Sequence, residues 1–145
     1  MHPNLSRAIA GGAVGTLAMT IMMYVVGPLM GLHMDVAAML GSVLGGSWNA
    51  GMMMHVVNGT LIFPAIFAFV LYGVLPGSAV VKGTLWGVGL WLMLQVVVMP
   101  MMGGGLFSAN MGGMMAVVGS LVGHLLYGSL LGAIAGAPQR HVAHA

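Results

Sequence analysis

Cysteine is absent from the 145 residues, which excludes disulfides, thiolate metal sites and cysteine nucleophiles. Charge is nearly absent as well. Lys and Arg together number 3 and Asp and Glu 1, so there is no carboxylate pair for acid–base work and no Ser-His-Asp set, Asp35 being a lone acid in a connector. There is no phosphate-binding loop. Proton pumping calls for carboxylates at membrane depth, and none exists. The formal charge of +2 rests on so few residues that it points to no nucleic-acid partner. Regular alternation of polar and apolar positions is also missing, which argues against a β-barrel.

What is present is oil. Hydrophobic residues make up 60% of the chain and the mean hydropathy is +1.09, too apolar to cover a water-facing surface. The expected fold is an all-α integral membrane four-helix bundle in a single domain, since about 20 apolar residues cross a bilayer. The spans read as about 8–30, 48–75, 80–102 and 114–137. The first apolar run is too long for a signal peptide and lacks a convincing cleavage pattern, so it reads as a span. Between spans 1 and 2, Asp35 is placed to N-cap a short segment, VAAMLGSVL, ended by Gly45 and Gly46. That segment is too short to cross and is expected at the interface.

Arg7, Lys82 and Arg140 fall on one side of this map and Asp35 on the other, which places both termini in the cytoplasm of a bacterial inner membrane. Pro28-Leu29-Met30-Gly31 laid over Pro100-Met101-Met102-Gly103 also aligns Gly11 with Gly83 and Gly15 with Gly87. This suggests two repeated helical hairpins. Glycines 119, 123, 128 and 132 form a stripe on span 4, spaced for close helix packing. Pro64 is expected to kink span 2.

The stretches GPLMGLHMDVAAMLGS, HVVNGT, VVVMPMMG and GHLLYG resemble a family of small, uncharacterised four-span bacterial membrane proteins. The resemblance implies a four-helix membrane fold and no activity.

Two features invite a function. All of the 17 methionines but Met1 lie from the midplane outward on this topology, because the stretches 3–18, 61–92 and 116–145 hold none. Methionine as a flexible filler explains abundance but not this one-sidedness. A soft Cu(I) site or an adaptable surface for a partner explains both. The second feature is His55, with Asn58 one turn on, echoed by His124 in a matching His-x-x-x-Gly-Ser/Thr-Leu segment. A polar side chain at membrane depth needs a partner. Three readings stand: interhelical hydrogen bonds, axial ligation of haem b, or direct metal ligation.

The function expected from sequence is therefore non-catalytic. A layer in the external half binds Cu(I) or haem through His55, His124, Asn58 and Gln95, with His33, Met52 and Met99 as further metal ligands, in an accessory or assembly component of a membrane complex. The alternative is a structural subunit, in a homo-oligomer or against other membrane subunits, that holds no cofactor. Four spans with no charged substrate site would have to oligomerise to form a transport path. His2, His141 and His144 read as solvated ends.

Overall fold

The structure, a computed structural model, describes residues 4–137. Helix α1 (Leu5–Leu29) is followed by a short α2 (Val36–Ser42), then α3 (Trp48–Leu71), α4 (Ala79–Met101) and α5 (Gly113–Ala135). No strand occurs among the described residues. The four longer helices are each long and apolar enough to cross a membrane, so this is a multi-pass membrane protein. Their starts follow from local chemistry. Asn4, Asp35, Ser47 and Ser78 each cap a helix by accepting a backbone N–H from Ser6, Ala38, Ala50 and Val81, supplying a partner that the first turn otherwise lacks. Gly45 and Gly46, at φ 81° and 85°, end the α2 segment in the left-handed region that glycine tolerates. Span 2 stops at Leu71, short of the expected 75. It is followed by a turn at residues 72–74.

Proline shapes three of the four spans in the same way. Each of Pro28, Pro64 and Pro100 stands two residues beyond a π-helical segment, at Met22–Val26, Asn58–Ile62 and Leu94–Val98. A proline inside an α-helix loses one backbone hydrogen bond and clashes with the carbonyl four residues back. The wider π turn is one way a helix accommodates this.

Glycine sets how the spans pack. α5 is central, with α1 on one flank and α4 on the other. Gly83 and Gly87 lie against Gly128, Gly132 and the His124 carbonyl, so a Cβ at any of these glycines would run into backbone. Gly11 and Gly15 meet Leu131 and Tyr127 on the other flank. α3 joins α1 where Gly12 faces Gly59 and Pro64. The repeat-aligned glycines of α1 and α4 thus both dock on α5, and the two hairpins are not packed alike. Of the predicted stripe, Gly123, Gly128 and Gly132 are buried, whereas Gly119 is half-buried and meets only the Leu32 side chain.

Both described cations tie helix ends. Arg7 donates to the carbonyl of Ala137 beyond α5, and Lys82 donates to the Tyr72 carbonyl at 2.6 Å beyond α3. Each satisfies an orphan C-terminal carbonyl and complements the helix dipole. They share one end of the bundle and Asp35 lies at the other. Arg140 and the three terminal histidines lie outside the described residues.

At the Asp35 end, residues 102–112 fold back onto the bundle. Phe107 and Ser108 hold positive φ angles of 49° and 54°, a conformation that costs a residue with a side chain on the order of 1–3 kcal/mol. Ser108 compensates by burying its hydroxyl, which donates to Gln95 Oε1 at 2.9 Å.

Candidate functional site

The two intramembrane histidines converge. His55 on α3 and His124 on α5 line one cavity of about 40 Å³ together with Thr16, Met19, Gly59, Phe63, Leu90 and Tyr127. The expected position in the external half needs correcting. Leu90 and His124 stand at the midpoints of Ala79–Met101 and Gly113–Ala135, so the cavity sits at the centre of the spans.

The hydrogen bonds fix which nitrogen of each ring carries its proton. His124 Nδ1 lies 2.7 Å from the Ser120 carbonyl oxygen, which can only accept, so Nδ1 holds the hydrogen. The Thr20 hydroxyl gives its single hydrogen to the Thr16 carbonyl at 2.7 Å, so His55 Nε2, 3.1 Å from Thr20 Oγ1, is the donor there. A neutral imidazole carries one N–H and one lone pair. The lone pairs therefore sit on His55 Nδ1 and His124 Nε2, neither of which is hydrogen-bonded within the described residues. A metal-ligating histidine is normally held in this manner, its other ring N–H donated to a carbonyl or similar partner. Thr16 adds a buried hydroxyl with no partner.

Tyr127 closes the cavity and completes the backbone. In the π segment of α3 the Phe63 N–H bonds the Asn58 carbonyl, so the Gly59 carbonyl would take the next N–H. That residue is Pro64 and has none. The Tyr127 hydroxyl reaches across from α5 and donates to Gly59 O at 2.8 Å.

Residues 3–145 match a family of unknown function, DUF6789. The chain belongs to that family. No curated protein and no solved structure matches it. The whole cavity lies within the matched stretch.

The other residues expected at the site lie elsewhere. Asn58 does not pair with His55, which has taken Thr20 instead; Asn58 is half-buried and makes no side-chain hydrogen bond among the described residues. Gln95 is 1% exposed, but it serves a structural network: its Nε2 donates to Ser120 Oγ at 2.9 Å, where the Trp91 indole also donates. Met99 is buried beside Met111 under the 102–112 loop. Met52 is half-buried near the start of α3 and does not line the cavity. The methionine that lines the cavity with the histidines is Met19, whose side chain packs over Gly123. Met19 is the methionine of α1 nearest the span centre, which is the signal that could have singled it out.

His33 lines a separate groove of about 270 Å³ at the Asp35 end, with Met23, Tyr24, Pro28, Met34 and Asp35. The Asp35 carboxylate accepts from Tyr24 Oη at 2.5 Å, from the Ala38 amide at 2.9 Å and from Trp48 Nε1 at 3.0 Å. Partial burial works against its charge, but these donors outweigh that and hold its carboxyl below the usual carboxylate range. No group of three or more His, Cys, Asp or Glu side chains fit to hold a metal occurs among the described residues.

Proposed function

We propose that the protein binds one Cu(I) ion at the centre of the membrane, between His55 Nδ1, His124 Nε2 and the Met19 thioether, as an accessory component that holds or passes on the metal. The observation that carries this reading is that His55, His124 and Met19 line one cavity. Imidazole nitrogen and thioether sulfur suit a soft ion. All three ligands are neutral, so a monovalent ion leaves one net charge in the membrane and a divalent ion would leave two, at much greater solvation cost. The cavity volume also suits an ion better than a macrocycle. Pockets enclosing drug-sized ligands run to roughly 300–1,000 Å³, so haem b between the two imidazoles does not fit this packing and is not part of the proposal. The bacterial inner membrane with both termini cytoplasmic is the orientation in which we place it.

The test is metal content and X-ray absorption on the full-length protein, purified in detergent and loaded with Cu(I) under reducing conditions. The expected result is one mid-membrane copper with mixed nitrogen and sulfur ligands. It should be lost in His55→Ala and in His124→Ala, with both variants still inserted. A copper-to-protein ratio unchanged in both variants, or no copper in the wild type, would overturn the reading.

Asn58 favours a second role alongside or instead of this one. Its amide has no partner among the described residues, at a depth where unpaired polar groups are costly. A neighbouring transmembrane helix, from another subunit or a second copy, would supply one. Cross-linking from position 58 in membranes tests this, and no cross-linked species at all would remove it.

A further inference from the structure

We infer that the groove at the Asp35 end is a second soft-metal site, formed by His33 with the sulfurs of Met23 and Met34, from which Cu(I) is loaded into the mid-membrane cavity. This rests on the Cu(I) reading above and extends it to how the ion arrives. The first observation is the distribution of free donors around the groove. Asp35, the obvious hard ligand, already accepts from Tyr24, the Ala38 amide and the Trp48 indole, with Oδ1 taken by all three and Oδ2 by the indole alone. The imidazole of His33 is exposed and makes no hydrogen bond within the described residues. The His33 imidazole and the thioethers of Met23 and Met34 make a neutral soft set like that of the cavity.

The second observation is the path between the two sites. Met23 lines the groove and Met19 the cavity. They are four residues apart on α1, with the helix passing from α to π at Met22 between them. Met22 lies between them, and its Cε and the Met19 side chain both pack over Gly123, whose missing side chain leaves room for them. Sulfur is thus spaced along α1 from the open groove to the cavity, and the one hydroxyl between Met19 and Met23, that of Thr20, is already engaged with the Thr16 carbonyl and His55. Movement along it is ligand exchange only: one Cu–S bond forms as the previous one breaks, and no electron or proton is transferred. The groove opens at the end opposite Arg7 and Lys82, which on the orientation proposed above is the external face.

The experiment uses the full-length protein in lipid nanodiscs, titrated with Ag(I) as a redox-inert probe against a competing chelator, with stoichiometry and loading rate both measured. The wild type should bind two ions. His33→Ala combined with Met34→Leu, near the bundle surface, should lose the groove ion and slow loading of the other by at least about tenfold, the lower end of what disturbing a ligand's surroundings costs. Met22→Leu, similar in volume, should keep both ions and slow loading alone. The His55→Ala/His124→Ala variant should keep the groove ion and lose the other. Unchanged stoichiometry in the His33 variant overturns the groove site, whereas unchanged stoichiometry in the His55/His124 variant overturns the cavity and leaves the groove standing. Wild-type loading rates in the His33 and Met22 variants would overturn the path.

Discussion

Replacing Tyr127 with Phe removes one oxygen and tests whether span 4 repairs the backbone break that Pro64 makes in span 2. The Tyr127 hydroxyl donates to Gly59 O at 2.8 Å, and both residues are buried at the span centre, where bulk water cannot replace the bond. Leaving a buried acceptor unpaired costs about 1–3 kcal/mol. Side-chain hydrogen bonds in membranes average nearer to 0.6 kcal/mol, with a maximum of about 1.7. The expected loss is therefore about 1–1.5 kcal/mol. The decisive control is Pro64→Ala, which restores the missing N–H and gives Gly59 O a partner of its own. In that background Tyr127→Phe should cost less than about 0.5 kcal/mol, a coupling large enough for a double-mutant cycle to resolve. Pro64 also packs against Gly12, but that loss is common to both arms and cancels. Equilibrium unfolding in mixed micelles with an anionic detergent, followed by fluorescence of the three tryptophans, gives the four free energies. Equal costs of Tyr127→Phe in both backgrounds would refute the reasoning.

Gly128→Ala should destabilise the bundle by about 3 kcal/mol or more, because the new Cβ lands on the Gly83 backbone rather than on a movable side chain; a variant within 1 kcal/mol in the same assay would show that α4 can shift freely. Nitrogen-15 NMR of the labelled imidazoles should find His55 protonated on Nε2 and His124 on Nδ1, and the reverse assignment at either ring would remove the lone pair that we give to a metal. The Asp35 carboxyl is held low, so its stabilising contribution is present above the usual carboxylate range, near pH 3.9, and is lost only as pH falls through its lower folded value. Trp48 fluorescence should accordingly stay constant from neutral pH to about pH 4 and change below it, and Asp35→Asn should show the altered signal at every pH.

The spans were legible because hydropathy over some twenty residues is a property of the chain itself. The same holds for the Asp35 cap, which needs only its own next turn. That His55 and His124 converge also followed from sequence, since an imidazole facing lipid has no partner. What was not legible is which neighbour each polar group finds. Asn58 stands three residues from His55, but the helix changes from α to π at Asn58, so the simple three-residue neighbour rule ends there, and Thr20 from another span took the histidine. Gln95 looked like a site residue because its partner Ser108 arrives from a loop whose fold the sequence did not reveal. The methionine pattern marked a depth but not the cavity-lining residue, which is Met19 rather than Met52 or Met99. One-sidedness is a matter of depth, whereas reaching the cavity depends on which face of α1 meets α5.

That one-sidedness has a structural counterpart. From the Arg7 and Lys82 end to the middle, α5 meets α1 and α4 through Gly11, Gly15, Gly83, Gly87, Gly128 and Gly132, contacts in which backbone touches backbone and nothing can adjust. No methionine lies in that half of the described bundle. Beyond His124 the filler becomes Met19 and Met22 over Gly123, and Met99 and Met111 around Gly104. These unbranched side chains can change rotamer without moving a helix. The cavity lies where the two regimes meet. His124 is held from the rigid side, its carbonyl against Gly87, while Met19 enters from the adaptable side. A ligand set with fixed nitrogens and a movable sulfur can tighten on an ion and release it without repacking the bundle. Gly123→Ala should therefore act on Met19 before it acts on the fold: the added methyl meets Met19 at ordinary van der Waals distance, leaving the helices in place while restricting the side chain proposed as the sulfur ligand, so that the variant should unfold like the wild type but bind Cu(I) more weakly.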